Sequence, residues 1–192
     1  MQSERRNLAY KFIAGVFLCA FIGLMWMRYA AITETMNEYT RSTENCIDWR
    51  LPIYDSSILG ILIFLIGFAH ITSYKSLRPI LAATGCLLIS IYTIDLFIYK
   101  LLHQRLNIQD VIRYAGQVKM NITVVRPELG SIHGIAILSA LILGCGALVF
   151  LTTKAPRNTK HGLAIIAIAP ILAFARQLPH EYENVASRLY ED

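Results

Sequence analysis

The chain has 192 residues, 55% of them hydrophobic and only 16% charged, with a formal net charge of +5. In an ordinary soluble domain about a quarter of the residues are charged, so this composition excludes intrinsic disorder and a simple secreted domain. The apolar residues fall in long runs separated by charged stretches, as in a multi-span membrane protein, and about five spans of roughly 20 residues leave no room for a large water-soluble catalytic domain.

The first apolar run, 12–27, follows Arg5, Arg6 and Lys11 and passes into Trp26-Met27-Arg28-Tyr29. It lacks the small-residue cleavage site of a secretory signal peptide, so it reads as an uncleaved anchor with a span over about 8–31. Further spans are expected over about 51–74, 79–102 and 131–152. In the last of these Ala136, Ala140 and Gly144 recur at every fourth position. Small residues at that spacing let helix backbones approach closely, and packing within the bundle is favoured over a homodimer face. The fifth span, about 160–178, rests on the short apolar run 163–175 and reaches bilayer length only if Lys160 and Arg176 snorkel from its ends. Pro170 in its middle is expected to kink it.

The segment 103–130, between the third and fourth spans, is too long for a bare connector. Ile108, Val111, Ile112 and Ala115 share one helix face, Asn107 and Asp110 form a variant of the capping box, and Gly116 is a natural stop. A short interfacial amphipathic helix over about 107–116 is therefore expected. The predicted fold is all-α: one polytopic membrane domain, 1–192, with about five transmembrane helices plus that interfacial helix.

Arg5, Arg6, Lys11, Lys75, Arg78, Lys154, Arg157 and Lys160 fall in the segments that an N-inside topology puts in the cytoplasm, against the single acid Glu4. The 32–50 loop and the tail are acidic. By the positive-inside rule the N-terminus is cytoplasmic and the C-terminus extracytoplasmic, as in a bacterial inner-membrane protein. The 103–130 segment dissents, because Arg105, Arg113, Lys119 and Arg126 outnumber Asp110 and Glu128. No Lys/Arg run exceeds two residues, so nucleic acid is not an expected partner.

No Ser/His/Asp set, Walker loop or HExxH motif is present, so no catalytic residue is assigned. Three of the four cysteines lie in apolar runs and none has metal-ligand spacing, so neither a disulfide framework nor a metal site is expected. His70, His133 and His161 sit at depths poorly matched for haem, and no cofactor is expected. Two acids lie inside spans: Asp55 near the outer end of the second, and Asp95 deeper in the third. An ionisable residue in a span is a functional candidate by default. Tyr92, Asp95 and Tyr99 share a helix face, and Lys100 is near enough to neutralise Asp95. The plainer reading satisfies Asp95 by Lys100, a neighbouring helix or interfacial water. Arg105 and Arg113, beside the interfacial helix, could hold a lipid phosphate through bidentate hydrogen bonds, or simply meet headgroups.

The stretch Ile91-Tyr-Thr-Ile-Asp95-Leu-Phe-Ile-Tyr99-Lys100-Leu-Leu-His-Gln-Arg105, continuing to Asp110 and Tyr114, resembles the membrane domain of the alkaline-phosphatase-superfamily phosphotransferases. These include lipoteichoic acid synthases, phosphoethanolamine transferases and related sulfatase-like proteins. There an aromatic-rich span ends in a D-x-x-x-Y-basic pattern and leads into an interfacial helix. The resemblance implies five spans, a cytoplasmic N-terminus and an outer-leaflet role in anchoring and presenting a lipid. Family members carry a threonine nucleophile and a metal site in an extracytoplasmic domain that no position here matches, so none of those residues carries over. The expected function is a membrane module of a phospho-group transferase, inactive alone, and either paired with a separately encoded catalytic domain or a remnant of such an enzyme. It would hold an anionic lipid through Arg105, Arg113 and Tyr99. The alternative is a small transporter or channel subunit using Asp95, with Lys100 as its neighbour.

Overall fold

The computed structural model describes residues 2–40, 51–102, 127, 130–156 and 158–174, with side chains within 7–34, 55–100, 127, 130–156 and 158–172. Among these residues the fold is all-helical, with no strand: α1 (Gln2–Thr40), α2 (Leu51–Ile71), α3 (Leu77–Leu102), α4 (Ile132–Thr153) and α5 (Thr159–Phe174). The predicted helix over 107–116 lies outside the described residues. So do Arg105, Arg113, Cys46 and the tail.

Each helix follows from local chemistry. The α4 start is capped by Ser131, whose extended backbone (φ −71°, ψ 158°) lets its hydroxyl accept from the Gly134 N–H at 3.0 Å. Such a cap satisfies one of the donors that a helix start leaves orphaned. At the other end the Lys154 N–H closes onto the Phe150 carbonyl, and Pro156 prevents continuation. Along α1, Phe17, Phe21, Leu24 and Arg28 recur at three- and four-residue steps and form its buried stripe. The opposite face leaves Ile22 and Trp26 exposed.

The core is built by Phe17, Phe21 and Leu24 of α1, Leu62 and Ile66 of α2, Ile89, Tyr92 and Leu96 of α3, and Ile137, Leu148 and Leu151 of α4. Helix α4 lies against both α1 and α3, while α5 packs on α2. Gly144, the last of the series Ala136, Ala140 and Gly144 on α4, is buried, and a Cβ there would stand 3.9 Å from both Ala20 and Ile89. It marks where α4 crosses α1 and α3. The α2–α5 contact is closer. A Cβ on Gly67 would come within 3.1 Å of the Gly162 carbonyl oxygen, and one on Gly162 within 2.9 Å of that of Gly67. Only paired glycines allow backbones so near.

The outside of the bundle is apolar. Ile22, Trp26, Ile142, Leu143 and Ile171 are all exposed. A water-soluble protein rarely presents contiguous apolar surface of this extent. Among the described residues three helical segments, Asn7–Glu34, Leu77–Lys100 and Ile132–Thr153, are long and apolar enough to cross a membrane; the described apolar parts of α2 (Asp55–Ile71) and α5 (Thr159–Leu172) are shorter. The chain has the architecture of an integral membrane protein.

Candidate functional site

Three helices deliver charge to one point. Arg28 extends the buried stripe of α1, one turn beyond Leu24. Its Nη1 donates to Asp55 Oδ1 on α2 at 2.8 Å, and its Nη2 lies 2.8 Å from Asp95 Oδ2 on α3. The two terminal nitrogens thus bridge two carboxylates from different helices. Tyr92, one turn before Asp95, donates its hydroxyl proton to Asp55 Oδ2 at 2.7 Å. Its ring lies under the guanidinium, 5.0 Å from Cζ to the centroid, and stacks on Phe21. Arginine suits this position because its planar fork can serve two acceptors while its face rests on an aromatic ring.

The Arg28 side chain is 9% exposed, against 14% for Asp55 and 17% for Asp95. The cluster is therefore most accessible on its carboxylate side. At this level Arg28 Nε and Tyr29 Oη are buried without a hydrogen-bond partner. Buried polar atoms are normally satisfied, so these two are exceptions within the cluster.

A second polar cluster lies about 27 Å away along α1 (18 residues at 1.5 Å each). The Tyr10 hydroxyl lies 2.6 Å from His70 Nε2 and 3.0 Å from the Leu151 carbonyl oxygen. His70 Nδ1 lies 2.8 Å from the Pro156 carbonyl oxygen and donates to it. The Arg78 Nη1 donates to the Ala155 carbonyl at 2.8 Å, and the Asn158 N–H to that of His70 at 3.2 Å. These bonds gather the N-terminal part of α1, the ends of α2 and α4 and the starts of α3 and α5, so both short connections sit at one end of the bundle.

The structure brings Asp55, Asp95 and Tyr92 together, and it adds Arg28, which the sequence shows only as a residue just past the first apolar run. The signal was present: Arg28 lies seven residues after Phe21 and four after Leu24, in line with the apolar stripe. Asp95 finds its partner on another helix. Tyr99 and Lys100, further along α3, are half-buried, Tyr99 against the core. His133 and His161 are exposed, whereas both ring nitrogens of His70 are engaged within the fold. Among the described residues no group of three or more His, Cys, Asp or Glu side chains is arranged to hold a metal. No family model, curated protein or solved structure matches the chain.

Proposed function

We propose that this chain is a small membrane protein that handles protons or cations, as a transporter or channel subunit, with Asp55 and Asp95 as the ion site and Arg28 as its fixed counter-charge. One observation carries the reading: a single guanidinium bridges two carboxylates among apolar helices. The formal charges of these three groups sum to −1. In a low-dielectric surround such a group favours uptake of a proton or a small cation. Arg28 then does two things: it makes the acids tolerable when empty, and it keeps them from binding a cation irreversibly. The greater exposure of the carboxylates supports an approach from outside the bundle. The test is flux in proteoliposomes made with the full chain. Proton or monovalent-cation flux above that of empty liposomes is expected for the wild type and should be lost in Asp95→Asn. Absence of flux in the wild type, or its survival in Asp95→Asn, would overturn the reading.

The resemblance over 91–114 favours a second reading, in which the chain presents an anionic outer-leaflet lipid to a separately encoded sulfatase-like transferase domain. Arg105 and Arg113, with Tyr99, would then hold the headgroup, and their alanine variants would lose lipid in native mass spectrometry. Both readings share a topology, supported by the basic residues around the two short connections: the N-terminus inside, in a bacterial cytoplasmic membrane, and the Arg28 cluster toward the outer side.

A further inference from the structure

Among the described side chains the two ends of the bundle differ in charge. Among the described side chains the acids are Glu34, Asp55 and Asp95, all toward the Arg28 end. The opposite end, where the α2–α3 and α4–α5 connections meet, carries Lys75, Arg78, Lys154 and Lys160 with no described acid beside them. The three lysines are exposed, and Arg78 is half-buried. These cations come from two connections distant in sequence, yet they share one rim because His70 and Arg78 bond across to Pro156 and Ala155. The rim is thus held by the fold.

Arg78 supplies a second, independent observation. One arm of its guanidinium is spent on the Ala155 carbonyl, while its Nε is buried with no hydrogen-bond partner. An unmet buried donor is costly, and more so on a charged group. An anionic oxygen is the acceptor that a guanidinium binds most strongly. Just inside the rim, Ile80 near the start of α3 and Leu163 near the start of α5 are exposed and apolar. A ligand there meets cations at its head and hydrocarbon-facing side chains below.

We propose that this end of the bundle is a docking site for an anionic phospholipid, with its phosphate held by Arg78, Lys75, Lys154 and Lys160 and its acyl chains lying over Ile80 and Leu163. Charge complementarity selects the headgroup: a zwitterionic lipid brings a choline or ethanolamine cation against the lysines, and a singly anionic one does not. The apolar flank selects a lipid over free phosphate, which has nothing to place there. This site lies at the opposite end from the carboxylate cluster, and it needs neither ion flux nor the arginines outside the described residues.

Native mass spectrometry of the purified full chain in detergent tests it, with short-chain phosphatidylglycerol, phosphatidylcholine and inorganic phosphate as probes. Phosphatidylglycerol should be retained, phosphatidylcholine lost at the same concentration, and millimolar inorganic phosphate should fail to displace the bound lipid. Lys154→Gln with Lys160→Gln, both exposed and so compatible with folding, should weaken retention by about fivefold per lysine. Arg105→Ala with Arg113→Ala should leave retention unchanged. Equal retention of phosphatidylcholine, full displacement by phosphate, or wild-type retention in the lysine double variant would each overturn the proposal. Loss of the lipid in the Arg105/Arg113 variant alone would overturn it in favour of the outer-leaflet site.

Discussion

Gly162→Ala is expected to destabilise the bundle even though alanine is the better helix former. The added Cβ would stand 2.6 Å from Ile71 Cγ1, 2.9 Å from the Gly67 carbonyl oxygen and 3.1 Å from His70 Cβ. Ile71 can rotate away, but the Gly67 oxygen and the His70 Cβ are fixed to the α2 backbone. Restoring an ordinary contact of about 3.5 Å requires α5 to move off α2 by roughly 0.5 Å, which loosens every contact along their shared face. Overpacking of this kind costs about 1–3 kcal/mol. The gain from replacing a helical glycine offsets about 0.5–1 kcal/mol of that, so the net loss is about 1 kcal/mol. For a chain of this size that lowers the melting temperature by roughly 2–4 °C. Gly23→Ala is the matched control, because a Cβ there meets nothing within 4 Å and only the helical gain remains. Thermal unfolding in detergent, followed by size-exclusion of the survivors, measures both. If Gly162→Ala melts at or above the temperature of Gly23→Ala, the close approach of α2 and α5 does not hold.

Arg28→Met should be among the most damaging substitutions, because it strands Asp55 and Asp95 without their shared cation; removing one partner of a buried pair costs about 3–5 kcal/mol. Adding Asp55→Asn and Asp95→Asn to Arg28→Met should recover much of the lost thermal stability, and a triple variant as weak as the single one would refute the charge argument. Tyr10→Phe removes the hydroxyl shared by His70 and the Leu151 carbonyl and should cost about 1–3 kcal/mol, read as a lower melting temperature, whereas Lys11→Gln, on the exposed neighbouring position, should be neutral.

The all-helical bundle is legible in the sequence because membrane solvent demands it: backbone groups in hydrocarbon must pair within their own segment, and long apolar runs leave no other option. Asp55 and Asp95 are legible for the same reason, since charge inside such a run stands out against its cost. Arg28 is hidden by its neighbours. Trp26 and Tyr29 make it look like an interfacial flank, and nothing local says that α2 and α3 will bring carboxylates to it. His70 invites a ligand reading until Tyr10 and the Pro156 carbonyl, sixty and eighty-six positions away, occupy its two nitrogens. Gly162 is the hardest case, because a glycine beside Lys160 and His161 reads as a helix start. Its function depends on Gly67, which no periodicity within α5 can point to.

The Arg28 bridge also constrains how the chain assembles. Helix α1 is synthesised before α2 and α3, so its guanidinium enters the bilayer with both eventual partners still missing. An arginine alone near the middle of a span is opposed by about 2.5–3.5 kcal/mol during insertion, and Arg28 avoids the worst of this by lying toward one end, where its long side chain can reach the headgroups. It can move inward only once Asp55 and then Asp95 have been threaded into place. The bridge is therefore complete only when the third helix is in place, and a chain that stops at two helices leaves one arm of the guanidinium without its carboxylate.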